Sequence, residues 1–432
     1  MDADVIVIGA GAAGLAAARS LAARSLRVVV LEARNRVGGR AWSHRLARGA
    51  VAAELGAEFV HGAAPETMSL LREAGTAAVD TAGESWERGS DGALHRRDDF
   101  TGLSIFEPAR TLSADETVDR FLSRFHDEQQ VADARAFVEG FDAADPAIAS
   151  VRAIATELHS GVDSVSARPL GGYRPLFDGL HNACVTAGVA IHLSSVVSKI
   201  AHRRGNVDVC VRSSWGSTRT FNARAAIVTL PVGVLRHGGD ETEVAFEPPL
   251  PPEKRVALGR IEMGHVVRVA LWFRSAFWER VEGGRFRYGG FFRDPARPFP
   301  TYWTQLPVRG ELLVAWAGGP KAAAMHDLPA AQRIALALEG CGSLFGTEPA
   351  NEEFEAAVTH DWVRDPFARG AYSYVLVNGE TARETLAAPI DDTLFFAGEA
   401  TSGDGQGGTV NGALQTGERA AAQAAAALNA GG

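Results

Sequence analysis

The chain has 432 residues, 46% hydrophobic and 22% charged, which gives ample core for two or three domains and excludes a disordered protein. Its net charge of −9 argues against nucleic acid as a partner and leans toward cationic ligands. The three cysteines, Cys184, Cys210 and Cys341, form no CxxC pair, so neither a disulfide framework nor a metal site is expected.

The most informative segment comes first. Apolar Val5 to Ile8 predicts a strand, and Gly9, Gly11 and Gly14 follow in G-x-G-x-x-G spacing. Helix formers run from Ala12 to Ala23, and a second apolar run, Val28 to Leu31, ends on Glu32. This strand–turn–helix–strand order, with an acidic residue 18 positions after Gly14, is what a dinucleotide site requires. Gly9 permits the tight turn, Gly11 lets backbone approach a pyrophosphate, and Gly14 lets the helix pack close to the sheet. The helix N-terminus offers free N–H groups to phosphate, and Glu32 can accept from ribose hydroxyls. A strand starting at residue 4 or 5 leaves no room for a signal peptide. No apolar run reaches the roughly 18 residues of a membrane span. A soluble, cytoplasmic protein is therefore expected.

Residues 1–78 hold this unit and the loop GAEFVHG. Residues 79–165 read as largely helical, with Ser113 and Glu116 spaced as a capping box. Residues 166–247 return to strand character: Val207 to Val211 alternates, and Ala225 to Leu230 is an apolar run. Residues 248–365 open with the Pro-rich EPPLPPEKR. They contain a strand candidate at Val266 to Phe273 and a hairpin in WTQLPVRGELLVAWAGG. From about 366, TLFFAGE predicts a strand, and a Gly-rich loop leads into a helix from about Thr409.

Three stretches resemble the flavin amine oxidase family. The first is E-x-R-x-R-x-G-G-R, from Glu32 to Arg40, which points to FAD, with Arg34 and Arg40 supplying positive charge near the pyrophosphate. The second is DWVRDPFARGAYSYV, 361–375, which is similar to polyamine oxidases and lysine-specific histone demethylases. The third is the closing segment LFFAGEATSGDGQGGTVNGALQ. The resemblance implies an α/β fold in which a Rossmann-like FAD-binding domain (1–78, 166–247 and 366–432) is interleaved with an α+β substrate-binding domain (79–165 and 248–365).

It also implies a site. The cofactor-binding set is Gly9, Gly11, Ala12, Ala13, Gly14, Glu32, Ala33, Arg34, Gly38, Gly39, Arg40, Leu55, Gly56, Ala57, Glu58, Val197, Trp362, Gly398, Glu399, Gly408, Thr409 and Val410. The residues expected around the reacting atoms are Tyr372 and Trp362 as aromatic walls, His61 and Glu58 from the loop over the flavin, Thr409, and Arg268. Ala371 stands where some members attach flavin through cysteine, so the FAD is expected to be non-covalent. Thr409 stands where a second cage tyrosine is found, which leaves one wall open. Arg268 occupies the position of the family's lysine; arginine donates hydrogen bonds but does not serve as a base. Glu157 is a candidate partner for a distal substrate ammonium.

The reaction implied is oxidation of a polyamine or monoamine by hydride transfer to flavin N5, imine hydrolysis, and reoxidation by O2 to give H2O2. The enzyme is expected to act as monomer or homodimer. Three alternatives remain open: an L-amino acid oxidase with arginine on the substrate carboxylate, a desaturase or protoporphyrinogen-type oxidase with a long apolar pocket, and a flavin-binding protein whose turnover is low because of Arg268.

Overall fold

A computed structural model describes residues 1–45, 52–97, 103–213, 217–240 and 242–430. At its centre is a five-stranded parallel sheet in the order Ala190–His192, Val28–Leu31, Val5–Ile8, Ala225–Val228, Leu394–Phe396. Segments far apart in sequence thus share one sheet. Four of these strands, all but the edge strand Ala190–His192, are apolar throughout because both faces are covered.

Alternate residues serve opposite layers. Val5, Val7, Val28 and Val30 pack under the helices Ala12–Ala22, Arg174–Thr186 and Val410–Ala430. Ile6, Ile8, Val29 and Leu31 pack with Val197, Ile200, Val207 and Phe221 of an antiparallel layer. That layer comprises Thr218–Ala223, Asn206–Ser213 and Ser195–Arg203, with Ala245–Glu247 added in parallel at its edge. The first and last helices approach so closely that a Cβ on Gly417 would collide with the Ala13 carbonyl.

A seven-stranded sheet forms the other half. Its order is Phe354–Thr359, Val266–Phe273, Leu312–Gly318, Thr301–Trp303, Gly289–Arg293, Glu84–Arg88, Leu94–Arg97. Thr301–Trp303 pairs antiparallel with Leu312–Gly318, as the hairpin reading expects. Val266–Phe273 is buried along its whole length. Its odd-numbered residues, Val267, Val269, Leu271 and Phe273, pack against Ala337, Cys341 and Phe345 of the helix Ala330–Phe345. Ala270 and Trp272 pack against Ala53 and Trp303 on the opposite face, which Arg268 shares by strand alternation.

Two expectations for 79–165 are corrected. Glu84–Arg88 and Leu94–Arg97 form an antiparallel hairpin rather than helix, anchored in the core by Trp86 and Leu94. The Ser113–Glu116 capping box does not form. The helix starts later, at Val118, where the Thr117 hydroxyl accepts from the Arg120 N–H, and Glu116 pairs with Arg124 instead. Helices Glu128–Gly140 and Val151–His159 do occupy the rest of the segment.

Candidate active site and cofactor cavity

A cavity of about 1010 Å³ runs between the two halves. It exceeds the size needed for a small ligand alone, since such pockets span about 300–1,000 Å³. At one end lies the first βα turn. Gly9 has φ of +105°, and a Cβ there would meet the Thr229 hydroxyl. A Cβ on Gly14 would collide with the Gly9 carbonyl, so Gly14 serves packing and does not line the cavity. Gly11 faces the Gly39 backbone across an open cleft. The helix Ala12–Ala22 has no side-chain cap and no acidic residue in its first turn, so its leading N–H groups remain available to an anion. These features fit a pyrophosphate.

Glu32 is buried and accepts from the Ala10 and Arg34 amides, both at 2.8 Å. The Ser195 amide donates to the Glu32 carbonyl (2.8 Å), which brings Val197 to the same end. Arg34 lines the cavity, but its guanidinium pairs with Asp365 at 2.7 Å and ties the N-terminal loop to 361–370. Arg36, which the sequence reading passed over, donates to the carbonyls of Val37, Gly39 and Ala41 and holds the Gly38–Gly39 loop in shape. Burial, and then Arg34, push its pKa down to about 10.

Glu399 is a buried hub. Arg40 donates to it at 2.8 Å, the Ser373 hydroxyl at 2.6 Å and the Gly408 amide at 3.0 Å, with Arg383 at 3.9 Å. Burial alone would raise its pKa, but Arg40 and Arg383 outweigh burial and hold it low. Arg40 also donates to the Ala371 carbonyl, so Glu399 joins the first loop, the Tyr372 segment and the closing loop. Thr409 caps the last helix: its hydroxyl accepts from the Gly412 amide and donates to the Gln406 carbonyl. Ala33, Gly38, Gly398 and Val410 complete this half of the lining.

Toward the other end the walls become aromatic. Trp362 is buried, donates to the Leu55 carbonyl at 2.7 Å, and packs over Gly56. Tyr372 contacts Gly408 and donates its hydroxyl to the Phe141 carbonyl at 2.6 Å. Phe59, Phe141, Trp303 and Trp316 join them, although no motif marked them. His61 packs against Phe59 and Phe141 and contacts the Ser166 hydroxyl at 3.1 Å. Burial lowers its pKa to about 4, so it is a neutral wall at working pH.

Arg268 is buried and ion-paired to Glu58; it also donates to the Gly56 carbonyl at 3.1 Å. Glu58 accepts in addition from Arg168 (2.6 Å), Trp303 (3.1 Å) and Gln305 (3.4 Å). Burial would raise Glu58, but Arg268 and Arg168 prevail and lower it. Ala57 lies between the two cavity-lining residues Gly56 and Glu58 and lines the cavity with them.

Near Tyr372, Asp142 and Glu157 hydrogen-bond each other. Burial raises both, and for Asp142 the charge of Glu157 adds to it, whereas Arg383 opposes the rise of Glu157. Both shifts act in the direction of a proton retained by the pair. Asp142 Oδ2 is buried with no hydrogen-bond partner. Asp163 lines the same region. Every site residue expected from the sequence except Gly14 therefore borders this one cavity. Among the described residues no His/Cys/Asp/Glu group has the arrangement of a metal site, and no helix is long and apolar enough to cross a membrane.

The sheet, the glycine turn and the closing helix define a dinucleotide-binding α/β architecture. Residues 12–102 and 94–425 match the family model described as flavin containing amine oxidoreductase. The chain is 27% identical to human lysine-specific histone demethylase 2 over 450 residues, covering 98% of this chain and 53% of that protein. It is 27% identical to polyamine oxidase 4 of Oryza sativa over 468 residues, covering 97% and 88%. Among solved structures, putrescine oxidase bound to putrescine superimposes with a TM-score of 0.82 at 22% identity, covering 99% of each chain. Cyclohexylamine oxidase from Brevibacterium oxydans gives 0.81 at 21%, covering 100% and 99%. The chain spans about half the length of the demethylases it matches. It belongs to the flavin-containing amine oxidoreductase family, and its cofactor is FAD.

Proposed function

We propose that the protein oxidises a primary or secondary amine carrying a second cationic group, and that O2 is the acceptor. The observation that carries this reading is the acidic pair Asp142–Glu157 beside the aromatic wall of Tyr372, within the cavity that the glycine turn and Glu399 open. Bound FAD supplies the hydride acceptor and returns the electron pair to O2 as peroxide.

Gly11, Gly39 and the first helix turn would hold the pyrophosphate, and Glu32 the ribose. Trp362 and Tyr372 exclude water from the reacting carbon and confine the amine nitrogen. The amine reacts in its neutral form; its α-carbon loses a hydride, and the imine formed adds water and separates into aldehyde and amine. His61 is neutral and Arg268 is engaged with Glu58, so neither is assigned the role of a base. Asp142 and Glu157 receive the distal ammonium, and their shared proton leaves as it binds. An amino acid substrate would need a guanidinium with both arms free, and those of Arg268 are already taken by Glu58 and the Gly56 carbonyl.

The test is anaerobic mixing of the FAD-loaded protein with diamines, monoamines of equal length, and L-amino acids. Bleaching of the flavin band by diamines at the lowest concentrations is expected. Bleaching by amino acids alone, or by none of the panel, overturns the proposal.

A further inference from the structure

Glu58 has more partners than a carboxylate needs to neutralise one arginine. Arg268 and Arg168 both bond to it, from two different strands: Arg268 from Val266–Phe273 and Arg168 from Ser166–Pro169. Trp303 and Gln305 donate to the same two oxygens, so the carboxylate cannot rotate away. Arg168 is further fixed by the Leu306 carbonyl at 3.1 Å and by stacking 4.5 Å above the Phe59 ring. Arg268 lies over Trp303 at 5.6 Å. Two guanidinium groups thus share one carboxylate in a site where Arg268 and Glu58 each expose only 4% of the side chain.

The surplus is one positive charge. Arg268 Nε and Arg168 Nη2 are buried without hydrogen-bond partners among the described residues, so neither meets a second carboxylate. Glu54 also feels this cluster, and accepts from the Tyr173 amide. Burial pushes Glu54 up to about 7, so below that pH it does not cancel the charge. Of the two cations, Arg268 lines the cavity and Arg168 does not. A neutral Arg268–Glu58 pair alone would present almost no net charge to the cavity. The second arginine changes that.

We propose that Arg168 is a positioning and charge-setting residue: bound to Glu58, it keeps the Arg268–Glu58–Arg168 cluster cationic, so that Arg268 stabilises negative charge developing in the cavity. Arg168 acts through Glu58 and touches no reactant. The cluster also explains how an arginine works where a single small cation would otherwise stand. Glu58 fixes its direction, and Arg168 restores the charge that Glu58 removes.

The inference rests on the flavin reading of the cavity, and FAD content measured on every sample separates a failure of that reading from a failure of this one. The assay is titration of the FAD-loaded protein with sulfite, whose addition to flavin places negative charge on the ring and needs no amine or turnover. At a fixed pH below about 7, Arg168→Met is expected to bind sulfite about tenfold more weakly at unchanged FAD content, because it keeps apolar packing against Phe59 but loses the charge. Arg168→Lys restores affinity to within about threefold, which a purely structural role of the guanidinium would not allow. An Arg168→Met variant with full FAD and unchanged sulfite affinity overturns the proposal. Should that variant lose FAD, Glu58→Gln decides: affinity about tenfold tighter supports the charge argument, and affinity unchanged or weaker refutes it.

Discussion

Glu157→Gln should penalise a diamine far more than a monoamine of the same length. The Gln side chain keeps the shape of Glu157 and can still bond to Asp142, so the wall stays intact, but the pair loses its second ionisable oxygen set. With one proton retained by the native pair, one net negative charge remains in a nearly dry environment facing the cavity. A distal ammonium would displace that proton and face two carboxylates, one of them offering the unpartnered Asp142 Oδ2. A charge-assisted hydrogen bond of this kind contributes about 1.5–3 kcal/mol, which corresponds to about 10- to 150-fold in kcat/KM for the diamine. The monoamine has no group to place there and should change by less than about threefold. The ratio of the two substrates cancels the deprotonation of the reacting nitrogen, which raises both rates with pH. Because Glu157 sits at about 7, the diamine preference of the native protein should grow as pH rises through that value, and that of Glu157→Gln should not. Equal losses for the two amines, or a preference that is flat with pH in the native protein, would refute the assignment.

Other consequences can be measured separately. Gly14→Ala should fail to give folded, flavin-loaded protein, since its Cβ meets the Gly9 carbonyl; Gly11→Ala should fold, with its thermal midpoint as apoprotein near native, yet bind FAD much more weakly because its Cβ enters the open cleft. Glu54→Gln tests a buried carboxyl whose pKa rises from 4.5 to about 7, equivalent to about 3 kcal/mol. The folded state holds that proton more tightly than the unfolded state, so this group's contribution falls as pH rises from about 4.5 to about 7 and is level above. The variant can still accept from Ser43 and Tyr173, so urea denaturation should find it more stable than the native protein at pH above 7 and no different below 4.5. Tyr372→Phe keeps the wall but frees the Phe141 carbonyl, and flavin reduction by the best amine should slow a few-fold; Tyr372→Ala should slow it by more than about tenfold.

What the sequence made legible follows from how local each signal is. The turn Gly9–Gly14 and the strands Val5–Ile8, Val28–Leu31 and Val266–Phe273 are short-range patterns, and their elements form as read. The hairpin Glu84–Arg97 was not legible as strand. Its charges outnumber its apolar residues, and only Trp86 and Leu94 reach the core of a sheet assembled from residues some 200 positions later. Ser113 and Glu116 match a capping pattern, but Glu116 meets Arg124 in the tertiary structure, and that ion pair decides the geometry. Of the aromatic walls, Phe59 lies in a loop and Phe141 at the end of the helix Glu128–Gly140, while Trp303 and Trp316 lie on the two paired strands of the hairpin, whose pattern does not say which face meets the cavity.

Arg268 shows where the limit lies for the chemistry. Its identity was readable, and from identity alone a water, an intruding side chain or a bound carboxylate were all open. The carboxylate turns out to belong to the chain, 210 positions away on the loop that closes over the cavity. This pairing changes what arginine can do there. A free guanidinium would select an anionic substrate by attraction. With one arm on Gly56 and the other on Glu58, Arg268 keeps only Nε without a partner, so a substrate carboxylate could not take the two-armed hold of a free guanidinium without displacing a buried salt bridge at a cost of several kcal/mol. A cation, in turn, is repelled by the surplus charge of Arg168 and drawn instead to Asp142 and Glu157 in the same cavity. On the proposed reading, the two clusters would orient a diamine by opposition: the distal ammonium would go to the acidic pair, and the nitrogen near Arg268 would be favoured in its neutral, reactive form.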